Sequence, residues 1–76
     1  MTVQLLTTAG CHLCEEAQAL VQRAAPSVSL ELVDIADDDD LIERYGTRIP
    51  VLRQGDRELA WPFSLLDVRG WLLSSR

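Results

Sequence analysis

Apolar side chains change their spacing several times along the chain, and each change marks an element. Val3 to Leu6 is a short, β-favouring apolar run. It stops at Thr7-Thr8-Ala9-Gly10, where Gly10 can supply the positive φ of a tight turn. From Cys11 onward the period becomes helical, with Leu13, Ala17, Leu20, Val21 and Ala24 on one side and Glu15, Glu16, Gln18, Gln22 and Arg23 on the other. This predicts an amphipathic helix that begins at Cys11 and runs until Pro26. Val28, Leu30 and Leu32 then alternate with Ser29 and Glu31, and Val33-Asp34-Ile35 extends the run into a second strand, so the opening elements form a βαβ unit.

Asp37-Asp38-Asp39-Asp40 puts acids at the positive end of a short helix carrying Leu41, Ile42 and Tyr45, with Arg44 near its end and Gly46 at C′. Ile49 to Arg53 and Arg57 to Trp61 flank Gln54-Gly55-Asp56 as a hairpin turning near Gly55, and Pro62 stops the last strand. Ser64-Leu65-Leu66-Asp67 resembles a capping box with aspartate in place of glutamate. It opens a final helix in which Leu65, Val68 and Leu72 share one face, up to Trp71-Leu72-Leu73. The expected order is β-α-β-α-β-β-α, without repeats, low-complexity linkers or an internal boundary, and a single domain over residues 1–76.

Composition narrows this picture. A chain of 76 residues has room for one core, because chains this small bury only ~60% of the surface they expose when unfolded. Apolar residues at 47% and charged residues at 25% describe a soluble globular chain rather than a disordered one. The net charge is −5, the acids concentrate at 37–40, and no basic stripe is present to hold phosphates, so nucleic acid is not an expected partner. All seven cationic side chains are arginine, which excludes lysine Schiff-base chemistry. The first residues lack a basic n-region and are too short for a signal h-region or a membrane span, which makes the cytoplasm the expected location and a membrane no partner. In a reducing cytoplasm, neighbouring cysteines are more often catalytic or metal-binding than a permanent cross-link.

The cysteines stand at Cys11-His12-Leu13-Cys14, and three uses are open to them. A structural bridge closing so short a loop contributes only about 2 kcal/mol and joins no distant elements. A metal site needs ligands beyond Cys11, Cys14 and His12. Carboxylates, a second chain, or glutathione around an iron–sulfur cluster would complete it, and the protein would then be a metal- or cluster-binding carrier. A thiol–disulfide site matches the local pattern, since a strand and a glycine turn lead Cys11 to the N-cap of a helix whose free N–H groups and dipole favour a thiolate. Cys14, one turn on, is within reach of a mixed disulfide formed at Cys11. His12 either adds positive charge to the first turn when protonated or is a solvated side chain, while Glu15 and Glu16 favour the helix start and oppose negative charge on the sulfur. Arg48-Ile49-Pro50-Val51 is the second signal: Pro50 opens a strand either as an ordinary trans residue or through a cis bond that aims the Ile49 backbone at the redox site.

Together, Thr7-x-x-Gly10-Cys11-His12-Leu13-Cys14-Glu15, Val33-Asp34-Ile35, Tyr45-Gly46-Thr47-Arg48-Ile49-Pro50-Val51-Leu52 and Glu58-Leu59-x-Trp61-Pro62 resemble the small bacterial glutaredoxin-like proteins of the thioredoxin superfamily. The resemblance covers nearly the whole chain. It implies a thioredoxin-like α/β fold, a four-stranded mixed sheet with helices on both faces. It further implies a dithiol–disulfide oxidoreductase in which Cys11 is the nucleophile, Cys14 the resolving thiol and Pro50 the cis-proline beside them, with Gly10, His12, Arg48 and Ile49 around the substrate. No cofactor is then required beyond the redox-active Cys11–Cys14 disulfide. The partners would be a disulfide-bearing protein or small thiol substrate and, as electron donor, glutathione or a reductase, with the protein acting as a monomer.

Typical glutaredoxins carry Cys-Pro-Tyr-Cys, a lysine shortly before it, Thr-Val-Pro at the proline loop and Gly-Gly-x-Asp before the last helix. Here stand Cys11-His12-Leu13-Cys14, no lysine, Arg48-Ile49-Pro50 and Trp61-Pro62-Phe63-Ser64. With that lysine missing and Glu15 and Glu16 beside Cys11, glutathione is expected to be a poor electron donor unless Arg48, whose guanidinium can grip a carboxylate bidentately, replaces the lysine. Trp61, Phe63 and Trp71 read as core or rim residues, with Trp61 a candidate apolar lip for a protein substrate.

Overall fold

The structure is a computed structural model and describes residues 2–74; the expected domain limits at 1 and 76 lie outside the described residues. The elements run β1 (Thr2–Thr7), α1 (His12–Ala24), β2 (Ser29–Asp34), a 3-10 turn (Ile35–Asp37), α2 (Asp39–Tyr45), β3 (Val51–Gln54), β4 (Arg57–Ala60) and α3 (Leu65–Leu73). They build one four-stranded sheet in the order β2-β1-β3-β4, with β1 parallel to β2, and β3 antiparallel to both β1 and β4. β1 and β3 are central, so both of their faces are buried. Val3, Leu5 and Leu52 point to one side, where they pack with Ala17, Val21 and Ala24 of α1, Phe63, and Val68 of α3. Leu6 and Val51 point to the other side and pack with Ile35 and Tyr45. The element order is the one the pattern predicts, and the mixed α/β sheet with helices on both faces is the one the family resemblance implies.

Several local expectations are corrected. The buried stripe of α1 is Cys14, Ala17, Val21 and Ala24, and Leu13 is left 46% exposed, because the helix starts at His12 with Cys14 turned inward. β2 ends at Asp34 rather than Ile35, since the Asp34 carboxylate accepts from Ala36 N at 2.9 Å and turns the chain into the 3-10 segment. The acidic run is therefore divided: Asp38 caps α2 by accepting from Asp40 N at 2.9 Å and Leu41 N at 3.4 Å, and the helix itself opens at Asp39. β3 begins at Val51 and β4 ends at Ala60, although Trp61 N still donates to Pro50 O at 3.0 Å beyond the ladder. The hairpin closes through a two-residue loop, Gly55-Asp56, with Gly55 at φ 61 as a type II′ turn requires. Ser64 and Asp67 form the reciprocal capping box, at 3.1 and 2.9 Å.

Gly46 is not the left-handed C′ residue. It is the C-cap of α2 with φ −53 and ψ −33, and its N–H donates to Ile42 O at 2.8 Å. A Cβ at Gly46 would stand 2.5 Å from that same backbone oxygen, so glycine serves a close approach rather than a positive φ. Gly46→Ala is expected to cost about 1–3 kcal/mol by overpacking, measured as a lower denaturant midpoint at unchanged slope.

The register decides which loops meet. Thr7 pairs with Asp34, Leu6 with Val51, and Val51 with Ala60, so the ends of β1, β2 and β4 and the start of β3 share one end of the sheet. The loops at that end carry Cys11, the acidic run, Ile49-Pro50 and Trp61-Pro62.

Candidate functional site

Leaving β1, the chain turns at Gly10, whose φ of 76 is the left-handed value that glycine adopts without strain. Cys11 follows as the N-cap of α1 in extended conformation, φ −84 and ψ 104, and its N–H donates to Thr8 O at 3.3 Å. Where a serine or aspartate would place an oxygen, Cys11 places sulfur: its Sγ accepts from Cys14 N at 3.1 Å. A disulfide joins Cys11 to Cys14, with Cα atoms 5.2 Å apart. The two cysteines are unlike in access, since Cys14 is 3% exposed within the core stripe while Cys11 is half-buried at the helix tip. In the reduced chain the Cys14 N–H and the other unpaired N–H groups of the first turn favour negative charge on Cys11 sulfur.

His12 stands 86% exposed on that first turn, with Nδ1 3.9 Å from Glu15 Oε2. It is directed at Glu15, and when protonated it offsets that carboxylate.

Pro50 is buried and its bond to Ile49 is cis, as is Trp61-Pro62. Because Val51 faces Leu6, Pro50 lies level with Thr7, at the sheet end that bears the Cys11 turn. Tyr45 O accepts from Arg48 N at 2.8 Å and from Ile49 N at 3.1 Å, and Pro50 O accepts from Trp61 N. The Ile49 donor is thus already used, while its carbonyl has no hydrogen-bond partner among the described residues.

Arg48, read from the sequence either as a stand-in for the missing lysine or as a solvated loop arginine, is half exposed and lies beside Glu58: Nη2 is 3.4 Å from Glu58 Oε1, and the guanidinium sits 5.4 Å over the Tyr45 ring. The Tyr45 hydroxyl donates to the other Glu58 oxygen. That hydrogen bond, aided by the charges of Arg48 and Arg44 and opposed by burial, holds the Glu58 carboxyl below its ordinary value. Arg44 and Arg53 also flank the Tyr45 ring, at 5.4 and 6.0 Å. The sequence carries no signal for this pairing, because Tyr45 belongs to α2 and Glu58 to β4, and only the packing of α2 on the sheet brings them together. Trp61 packs edge-on to Phe63 at 5.0 Å and partly against the core. Among the described residues no three His, Cys, Asp or Glu side chains gather as a metal site, and no helix is long and apolar enough to cross a membrane.

Comparison with known proteins agrees with this geometry. Residues 2–73 match the glutaredoxin-like domain (DUF836). No curated protein matches the chain. The crystal structure of a structural genomics target, protein XcR50 from X. campestris, is 37% identical, with 97% of this chain and 99% of that chain covered and a TM-score of 0.87. The solution structure of XcR50 is 38% identical, with coverage of 100% and 97% and a TM-score of 0.85. A malarial protein at 13% identity, covering 95% of this chain and 92% of its own, shares the fold at a TM-score of 0.64.

Proposed function

The chain belongs to the glutaredoxin-like domain family, and from that premise we propose that it is a dithiol–disulfide oxidoreductase working through Cys11 and Cys14. The observation that carries the reading is the asymmetry of the pair: an accessible sulfur at a helix cap, accepting a backbone N–H, beside a buried one within bonding distance. Cys11 thiolate attacks one sulfur of a substrate disulfide and expels the other as a thiolate. Cys14 loses its proton and attacks Cys11 sulfur, releasing the second substrate thiol and leaving the Cys11–Cys14 disulfide. Two electrons pass from the protein to the substrate, and an external thiol or reductase restores the dithiol. Pro50 and the open Ile49 carbonyl line the approach, where an extended segment of a disulfide-bearing protein can add as a strand. The protein acts as a monomer in the cytoplasm, where thiols are kept reduced.

Glutathione is a poor donor on this reading. Arg48 is engaged by Glu58, so the cation that would take the missing lysine's part in holding the tripeptide carboxylate is already partnered. Turnover of a model disulfide is expected to be slow when glutathione supplies the electrons and faster with a dithiol reductase of the thioredoxin-reductase type, and Arg48→Ala is expected to leave the glutathione-coupled rate unchanged. Rapid glutathione turnover that disappears in Arg48→Ala would assign the donor role to glutathione and the carboxylate grip to Arg48.

A further inference from the structure

α3 is apolar on more than its inner side. Val68 is buried in the main core and Leu65 and Leu72 pack against it, which completes the inner face. Leu66 and Leu73 lie outside that face, 75% and 82% exposed. At about 3.6 residues per turn they fall within about 60° of one another, with Gly70 between them. Gly70 stands inside the helix without a positive φ, and a Cβ built on it would meet nothing within 4 Å. Glycine weakens a helix interior relative to alanine, and neither the backbone nor the packing of this chain calls for it here. The stripe borders an open groove of about 600 Å³ between the ends of α1 and α3, whose lining includes Ala24, Pro26, Val28, Leu72 and Leu73. Arg69 is the charged residue of that lining, and its guanidinium makes no ion pair or side-chain hydrogen bond among the described residues. Arg23 precedes Ala24 in the last turn of α1. Asp67, on the other flank of the stripe, accepts from Ser64 N, and Arg57 is turned to Trp71 O and Ser74.

We propose that this outer face of α3 and the groove beside it are a docking surface for an amphipathic helix of a partner protein, one whose apolar ridge is flanked by a carboxylate that meets Arg69. The spacing of packed helices is set by the side chains at their crossing, and glycine there permits the closest approach of a second backbone. Leu66 and Leu73, about 10 Å apart along the axis at ~1.5 Å per residue, stand on either side of that crossing. They fit a partner whose apolar residues recur every three and four positions. Beyond Leu73 the groove takes a longer apolar side chain. A helix covering the groove removes water from Arg69, so an acidic group on the partner completes the contact with a charge-assisted hydrogen bond. Arg23 adds to the same preference. Asp67, on the far flank, fixes which edge of the partner helix is acidic. A lone aliphatic anion would fill the groove but leave the Leu66 end and the open side of Gly70 unused. The docking face is separate from the chemistry at Cys11 and does not rest on it.

The probes are two synthetic helical peptides of equal length with leucines three and four residues apart along one face, flanked by glutamates in one and by lysines in the other. Each is titrated into the isotope-labelled full chain and followed by its amide NMR signals at ~0.15 M salt, where charges more than ~8 Å away are largely screened. The glutamate peptide is expected to shift the signals of α3 and of residues 24–28, and to bind about fivefold more tightly than the lysine peptide. Arg69→Glu is expected to reverse that preference. Gly70→Gln separates docking from a structural role. Glutamine is the better helix former and its Cβ has room, so the urea midpoint of the free protein is expected to rise. Affinity for the glutamate peptide is expected to fall about tenfold or more, because the new side chain blocks the approach. Binding that ignores both the peptide's charge and Gly70→Gln would overturn the docking surface, as would signals that do not move with either peptide. Self-association of the chain through α3, seen by sedimentation, would assign the face to a second copy instead. Shifts produced by decanoate and by neither peptide would assign the groove to an aliphatic anion, and the helix proposal would be wrong.

Discussion

Cys11→Ser is expected to reduce disulfide turnover to the uncatalysed background, whereas Cys14→Ser is expected to stop after its first half-reaction with substrate still attached. The difference follows from access and charge. An incoming disulfide can reach the half-buried Cys11, which sits at the cap where its sulfur accepts the Cys14 N–H, but Cys14 is 3% exposed and faces Ala17 and Val21. Mass spectrometry of each variant after exposure to a model disulfide should show one adduct per chain in Cys14→Ser and none in Cys11→Ser. In the reduced wild type, brief alkylation near about pH 6, where a thiol with the ordinary pKa near 8.5 is almost wholly protonated, should modify Cys11 first. Loss of stability cannot account for such a contrast, because both substitutions remove the same short bridge, worth about 2 kcal/mol in the oxidised protein, and the one that also disturbs the core, Cys14→Ser, is the one expected to carry the adduct. An adduct on Cys14 in the Cys11→Ser chain would reverse the assignment.

The alternation of short apolar runs with one long helical period was enough to give the element order, and the local chemistry of Gly10, Gly55 and the Ser64–Asp67 box could be read because each acts within a few residues. What could not be read depends on neighbours far away in sequence. Leu32 looks like a core residue by alternation but is 51% exposed, because β2 is an edge strand and only the sheet order shows that. Leu13 and Cys14 are both apolar and adjacent, so periodicity alone could not choose which of them faces the core. Leu13 was placed on the apolar face, but it is Cys14 that turns into the core there. Gly46 was legible as a helix stop but not as a close backbone contact, since the latter depends on where Ile42 O lies. The Arg48–Glu58 contact could not be read, because Glu58 lies ten residues away on β4 and meets Arg48 only through the packing of Tyr45.

Tyr45→Ala is expected to cost about 3–5 kcal/mol, as for other large aromatic truncations in a core, a sizeable part of the ~5–15 kcal/mol typical of a folded domain. Tyr45 is the largest side chain that is fully buried, at 1% exposure, and it holds the second core together with Leu6, Ile35 and Val51. Tyr45→Phe keeps the ring and removes only the hydroxyl that donates to Glu58, so its cost is expected to be smaller, about 1–2 kcal/mol near neutral pH. That smaller cost should depend on pH with a defined sign. The fold lowers the Glu58 carboxyl from its ordinary 4.5, with the Tyr45 hydrogen bond as the first cause and the Arg48 charge assisting against burial. Stability gained in this way is fully present above 4.5 and is lost as the pH falls through the lower folded value. In Tyr45→Phe the folded carboxyl returns toward the ordinary value, so acidification takes less from the variant than from the wild type. The stability gap between them should therefore be widest from about pH 6 upward and narrow toward about pH 3, as urea midpoints across that range would report. A gap that stays constant with pH would show that the hydroxyl contributes through packing alone. The bonds that fix the proline loop, Arg48 N and Ile49 N to Tyr45 O, are made by the backbone and survive Tyr45→Phe. Disulfide turnover should accordingly persist in this variant, which separates the role of the hydroxyl in stability from the part the loop plays in the chemistry at Cys11.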